Sequence, residues 1–249
     1  MIEFRCNVCG SECSCEPEAI GREQASCDGC GSTVRMRAIV HHVSQGLFGE
    51  SLALPDFPLR KDLHGVGLSD WQEYARRFAE RVDYLNTYYH QEPRLDITQV
   101  PEHWLGRFDF LISSDVFEHV CPPVSLAFEG ARKLLKSGGT LVLTVPFATE
   151  TEETLEHFTE LHEFRLEAAA DGASRLVNRR RDGVEETFDN LVFHGGPGHT
   201  LEMRLFARAA LERDLAAAGF SEIRFASDPV PEFGIRWDHP WSVPVIARA

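Results

Sequence analysis

No run of apolar residues in the 249-residue chain approaches the roughly eighteen that a membrane-crossing helix needs, so the sequence predicts no spanning segment. Residues 1–9 likewise lack the charged-then-apolar pattern of a signal segment, and the expectation is a cytoplasmic protein without membrane attachment. Positive charge is scarce. Against 39 Asp and Glu there are 25 Lys and Arg, a formal net charge of −14. Affinity for nucleic acid comes mostly from cations neutralising phosphates, so this balance argues against a surface that tracks a phosphate backbone and leaves room only for a local basic face. Cysteine is nearly missing beyond residue 30: six of the seven lie within residues 6–30. What the chain does have is apolar content, 43% of its residues, enough for a large core.

Residues 108–147 carry the strongest pattern. Two short, nearly continuous apolar runs, 108–113 and 140–145, are what a parallel sheet covered on both faces demands. Between them Val124, Ala127, Phe128, Ala131, Leu134 and Leu135 fall on one helical stripe, preceded by Pro122 and Pro123 and followed by Gly138 and Gly139. Strand, acidic loop, helix, turn, strand is half of a nucleotide-binding α/β fold. The wording of this stretch, FDFLISSDVFEHV followed by ARKLLKSGGTLVLTVPF, closely resembles the fourth- and fifth-strand region of class I S-adenosylmethionine-dependent methyltransferases of the type 11 kind. The resemblance implies a doubly wound, Rossmann-like seven-stranded α/β domain of about 200 residues, which leaves space for a small accessory module.

The cysteines supply that module. Cys6-x-x-Cys9 and, seventeen residues on, Cys27-x-x-Cys30 have the paired spacing of a four-thiolate zinc site, and each pair is followed by glycine, which lets backbone N–H groups turn toward the sulfurs. Four thiolates leave no open position for an activated water, so the zinc is expected to be structural and to supply most of the segment's folding energy. Cys13 and Cys15 lie between the pairs and offer substitutes. Residues 1–33 are therefore read as a zinc ribbon. A helix follows over 34–48, with Ser32 or Thr33 as cap and Met36, Ile39, Val40, Val43 and Leu47 on one face; its His41 and His42 read as surface or packing residues. The Pro-rich segment 52–58 reads as a linker, completing an intermediate unit over 34–58 before the methyltransferase domain at 59–249.

Within that domain the resemblance assigns cofactor positions one by one. The first strand should cover 59–64 and run into His64-Gly65-Val66-Gly67-Leu68-Ser69-Asp70, where the family shows an acidic residue and then Gly-x-Gly-x-Gly. Gly65 and Gly67 stand for two of the glycines, Ser69 replaces the third, and the acidic position holds Leu63, with Asp62 one place away. After a helix over 71–81 and a strand over 82–85, Asn86 and Thr87 occupy the place of the acid that holds the ribose diol. Residues 93–98 resemble the third-strand segment, in which Asp96 would meet the adenine amino group and Ile97 its ring; Asp96 as the cap of a helix over 99–104 is the competing reading. At the tip of the fourth strand Ser113, Ser114 and Asp115 would face the methyl group, and the Glu118-His119 pair matches the family's Glu-His. His119 reads either as a general base or as a residue that holds the loop.

Residues 148–200 exceed a minimal domain and read as a β-rich insertion that builds the acceptor pocket. Asp182-Gly183 signals a hairpin turn, and Arg179–Arg181 reads as a solvated turn. His157 and His162, five apart, would point to different faces of a helix and so do not form a metal pair. His194, before Gly195-Gly196-Pro197-Gly198, is placed for acceptor contact or is an ordinary loop histidine. A helix over 201–218, a strand over 221–226 and a strand over 241–247 would close the sheet. Together these readings predict methyl transfer from S-adenosylmethionine to a small-molecule acceptor such as a sugar or secondary metabolite, with O-methylation favoured and His119, His157, His162 or His194 as base. The alternatives are an RNA methyltransferase guided by the ribbon, which the acidic balance and the lack of an aromatic-plus-basic stripe disfavour, and a non-catalytic scaffold, which the altered glycine motif would allow.

Overall fold

The computed structural model describes residues 1–168, 174–194 and 200–249. Its first strands, β1 (Ile2–Arg5) and β2 (Glu12–Cys15), pair as an antiparallel hairpin. Helix α1 (Val34–Phe48) follows; Thr33 takes the cap position without a capping side-chain bond, and the helix stops where Gly49, at φ 74°, turns its N–H back to the Gln45 carbonyl. Where the sequence suggests one buried stripe, α1 is buried nearly all round, Arg37, His41, His42 and Ser44 included. The segment expected as a linker is core as well. Leu54 and Phe57 are each 1% exposed, and the Leu54 N–H bonds the Asn7 carbonyl at 2.8 Å. Phe4, Cys6, Val8 and Ile20 of the ribbon pack in one cluster with Val40, Phe57, Phe78, Phe110 and Ile112, at about 1.5–3 kcal/mol for each large side chain buried. The amino-terminal segment and the sheet thus share a core.

The central unit runs β3 (Arg60–Leu68), α2 (Gln72–Arg81), β4 (Val82–Thr87), β5 (Phe108–Ser114), α3 (Ser125–Leu134) and β6 (Leu135–Thr144). Strands β4, β3, β5 and β6 are parallel neighbours in that order. Side chains alternate across this sheet: Phe110, Ile112 and Val142 face α1 and α2, whereas Leu111, Leu141 and Leu143 face the cluster that includes Phe128 of α3. Gly138, expected to close the helix, instead loops out of β6 at φ 76°, between the Leu135 and Thr140 pairings.

Beyond β6 come the short strands β7 (Phe147–Ala148) and β8 (Leu155–Glu156), then β9 (Glu163–Ala168), β10 (Ser174–Arg179) and β11 (Glu185–Phe188) as an antiparallel three-stranded sheet. The expected hairpin turn is present, with Gly183 at φ 86° and Arg180 paired to Asp182 and Glu186. β12 (Phe193–His194) pairs with β13 (Thr200–Leu201), and Gly195-Gly196-Pro197-Gly198 between them lies outside the described residues. The helix read over 201–218 begins later. β14 (Arg204–Ala207) comes first, parallel to β7 and antiparallel to β8, because the buried Arg204 is fixed in extended chain by Glu156 Oε1 at 2.7 Å and the Phe117 and Val120 carbonyls at 2.8 and 2.7 Å. Helix α4 (Arg208–Ala217), β15 (Ser221–Phe225) and β16 (Val245–Arg248) complete the chain, and the main sheet reads β15-β16-β6-β5-β3-β4 with its last two strands antiparallel.

This mixed sheet has six strands where seven were expected. Residues 93–98 contribute one parallel bridge, Tyr88 to Arg94, after which the Asp96 carboxylate accepts from the Thr98 N–H (2.9 Å) and hydroxyl (2.7 Å) and folds the chain into a turn that no ladder can follow. The first strand also departs from expectation. β3 extends to Leu68, so Gly65 and Gly67 lie inside it, opposite Phe110 and Ile112 of β5 and Tyr84 and Asn86 of β4.

Candidate active site and thiolate cluster

The carboxyl ends of β3, β4 and β5 open into a cavity of about 930 Å³, the place where open α/β sheets take ligands. Of the sequence-assigned residues, Ser69, Asp96, Ile97, Asp115, His119 and His194 line it, and Thr87 joins them. Gly65 and Gly67 do not. A β-carbon on Gly65 would collide with the Phe110 ring, and one on Gly67 with the Asp70 carboxylate and the Tyr84 hydroxyl, so the two glycines make room for neighbouring side chains. Asn86 is also diverted: its amide accepts from the Asp70 N–H and donates to the Asp70 carbonyl, both at 2.9 Å, tying β4 to the turn after β3. Ser113 is buried, and Ser114 bonds Thr144 and Arg35 behind the cavity wall. Residues 157 and 162 are not helical; His162 is exposed, and His157 stands behind the cavity on Glu202.

The cavity's polar groups are held by strained backbone. Ser69 and Asp115, at the tips of β3 and β5, both have left-handed φ, 56° and 53°. Each is fixed by its N–H, to the Thr87 carbonyl at 2.7 Å and to the Thr144 carbonyl at 2.8 Å. Such a conformation costs a non-glycine residue on the order of 1–3 kcal/mol and gathers at functional sites. Beneath Ser69, the buried Asp70 accepts from Tyr74 at 2.6 Å and from Tyr84; burial outweighs these bonds and pushes its carboxyl pKa up to about 7.

Two arginines of the N-terminal region reach the same cavity, a feature the sequence pattern did not disclose. Arg22 Nη2 lies 2.7 Å from Asp115 Oδ1, and Arg35 Nε lies 3.4 Å from Asp115 Oδ2 while its Nη1 donates to Ser114 Oγ at 2.6 Å. Burial alone would raise the Asp115 pKa, but the two guanidiniums prevail and hold it below the ordinary carboxylate value. Both arginines also contact Glu23.

Across the cavity, His119 and His194 stack edge to face with centroids 4.7 Å apart. Beside them Glu118 is wholly buried; burial, and then the charge of Asp115, raise its pKa to about 8. His119 is pulled below its usual pKa by burial.

The cysteine expectation is met geometrically. The sulfurs of Cys6, Cys9, Cys27 and Cys30 lie within 4.8 Å of one another, with Cys6–Cys30 at 3.7 Å, Cys9–Cys27 at 3.5 Å and Cys27–Cys30 at 3.6 Å. A disulfide needs about 2.05 Å, whereas four ligands about 2.3 Å from one tetrahedral zinc stand roughly 3.8 Å apart. Cys13 turns its sulfur to the Ser11 carbonyl, and neither Cys13 nor Cys15 joins the cluster. The Cys6 pKa is lowered, first by its contact with the Cys30 sulfur, against the effect of burial, and helped by Ser32 and the Cys9 and Val8 backbone. Ser32 Oγ, 3.1 Å from the Cys6 sulfur, also meets the fully buried guanidinium of Arg37 at 3.3 Å. Among the described residues Arg37 has no carboxylate partner, so the charge that faces it is that of the sulfurs.

No protein-family model matches the chain, and no curated protein does. Solved structures match in fold. The CurJ carbon methyltransferase is 14% identical, with 88% of this chain covered at a TM-score of 0.50; the chain spans about half of that protein, 55%. The amino pentose methyltransferase CalS10 of Micromonospora echinaspora, solved with S-adenosylmethionine, is 14% identical over 89% of this chain and 94% of its own, at a TM-score of 0.48. The 1,6-didemethyltoxoflavin N1-methyltransferase of Burkholderia thailandensis, solved with S-adenosylhomocysteine, is 14% identical over 86% and 77%, at 0.47. The likeness to the carbon methyltransferase identifies the fold as that of the S-adenosylmethionine-dependent methyltransferases.

Proposed function

We propose that the chain is an S-adenosylmethionine-dependent methyltransferase that methylates a small-molecule acceptor, an oxygen of a sugar or secondary metabolite in the favoured case, and that its four-cysteine cluster holds a structural zinc. The observation that carries the reading is the 930 Å³ cavity, which gathers groups suited to each part of the cofactor at the carboxyl ends of three neighbouring strands. Asp96 offers an acceptor for the adenine amino group and Ile97 an apolar wall for its ring. Thr87, one position past Asn86, lines the cavity where the ribose would lie. Asp115 suits the ammonium of the cofactor's amino-acid end, and Arg22 and Arg35 suit its carboxylate. When bound, the sulfonium supplies a methyl already electrophilic. The protein's own task is to align an acceptor lone pair with that methyl, exclude water and receive a proton, for which His119 and His194 stand at the cavity wall.

Calorimetric titration with S-adenosylhomocysteine tests this reading. A saturable heat at one site per chain is expected. No measurable binding to folded protein would remove the methyltransferase assignment and leave a scaffold of the same fold.

A further inference from the structure

Glu118, His119 and His194 meet in an arrangement that proton transfer alone does not account for. One carboxylate oxygen and two imidazole nitrogens lie within 4.8 Å of each other. Glu118 Oε1 is 3.7 Å from His119 Nε2 and 3.7 Å from His194 Nδ1, beyond hydrogen-bonding reach of both. Glu118 is 0% exposed, and neither of its side-chain oxygens has a hydrogen-bond partner among the described residues. A buried carboxyl group with both oxygens idle, ionised or protonated, is costly unless something not made of protein satisfies it.

The far side of each imidazole indicates what that is. His119 Nδ1 lies 2.9 Å from the Leu201 carbonyl, which can only accept, so Nδ1 carries the proton and the Nε2 lone pair points toward Glu118. His194 Nε2 lies 2.8 Å from Glu202 Oε2, which places its proton there and turns the Nδ1 lone pair toward the same Glu118 oxygen. Glu202 is itself engaged by His157 Nε2 at 2.9 Å through its other oxygen. Two lone pairs and an idle carboxylate converge, and both rings are backed by an acceptor, as metal-ligating histidines usually are. Ligands about 2.1 Å from one ion stand roughly 3–4 Å apart, which includes the 3.7 Å of both glutamate–imidazole separations.

We propose that Glu118, His119 and His194 form a divalent-cation site in the wall of the cavity, with Glu202 and His157 orienting His194 from behind. Two imidazoles and a carboxylate suit manganese, iron, cobalt or zinc rather than magnesium or calcium, and three protein ligands leave coordination positions for oxygen donors. Both histidines line the cavity, so those positions face the acceptor; resting on the methyltransferase reading, the site selects an acceptor that presents ligating oxygens and polarises the one to be methylated.

Manganese separates this site from the thiolate cluster, because soft sulfur ligands disfavour it. The full-length protein, dialysed to remove loosely held metal, is titrated with Mn²⁺ and free ion is read by electron paramagnetic resonance. About one Mn²⁺ per chain is expected, with binding weakened more than tenfold in Glu118→Gln and in His194→Ala, and roughly tenfold in Glu202→Gln. If Glu118→Gln fails to fold, His194→Ala, on the partly exposed end of β12, carries the comparison. Absence of saturable Mn²⁺ and Co²⁺ binding, or binding that the folded variants leave unchanged, overturns the proposal. A wild-type protein that binds Mn²⁺ but no S-adenosylhomocysteine would retain the cation site and lose the methyltransferase reading.

Discussion

Gly67 and Asp96 look equivalent in the sequence as cofactor residues, yet the structure gives them different work. Gly67 is enclosed by Asp70 and Tyr84, so Gly67→Val overpacks the core; it should destabilise by about 1–3 kcal/mol or more, seen as a lowered melting temperature. Asp96→Ala removes a cavity acceptor from a surface turn. Losing its bonds to the Thr98 N–H and hydroxyl should cost about 0.5–2 kcal/mol of stability, while S-adenosylhomocysteine affinity should fall by about 1.5–3 kcal/mol, roughly ten- to 150-fold. Asp70 makes a second prediction at this scale. Its folded pKa, up to about 7, exceeds the ordinary 3.8, so the native state holds the proton more tightly than the unfolded chain. The contribution is therefore full below about pH 4, is lost as pH rises through 7 and is flat above, spanning up to about 4 kcal/mol. Denaturant unfolding at pH 5 and pH 8 should show a larger fall in wild type than in Asp70→Asn, which keeps the part that the raised carboxyl of Glu118 contributes. His41 and His42, buried and depressed to about 4 and 3 beside Arg224, act in the opposite sense below pH 6.5, and they do so in both proteins.

Elements defined by local periodicity were legible. The α3 stripe and the apolar runs of β5 and β6 could be read because burial on two faces of a parallel sheet leaves a mark in consecutive residues. What escaped depended on distant partners: β14 exists because Arg204 finds Glu156 and two loop carbonyls, and Leu54 and Phe57 of the segment read as a linker are core because α2 and the amino-terminal region close over them. The same closure changes an expectation about independence. A ribbon that folded as a separate module could lose a thiolate without consequence for the cofactor cavity. Here Arg22 and Arg35, which flank the Cys27–Cys30 pair, are paired to Asp115. Elemental analysis of protein dialysed against a weak chelator should return about one tightly held zinc per chain. Cys27→Ser should lose it and should also weaken S-adenosylhomocysteine binding by tenfold or more, measured by calorimetry; retained affinity in a zinc-free variant would show that the two regions are uncoupled.

On the scale of the molecule, the candidate site draws on residues from 22 to 200, and its legibility followed the resemblance. Asp96, Asp115 and His119 sit inside stretches whose order of residues is informative, and they line the cavity. Arg22 and Arg35 carry no local signal, since a lone arginine in an acidic chain reads as solvated until the fold gives it a partner. Glu118 was visible as half of a pair, but its idle oxygens become apparent only when the surrounding atoms are in place.

Arg37, near the ribbon, completes its bonding with the carbonyl of Gly234, 197 residues later, and Arg22 likewise meets the carbonyl of Ser242. At the usual pace of translation, about 5–20 residues per second, the amino-terminal region waits roughly ten to forty seconds on the ribosome before its last acceptors emerge. Through that interval the Phe4 ring has the Arg37 guanidinium over it but lacks Gly234, which packs against it in the finished fold. The bonding of Arg37 and Arg22 is therefore completed late in synthesis relative to their own emergence, and the segment around them stays unfinished until residues 234–242 arrive.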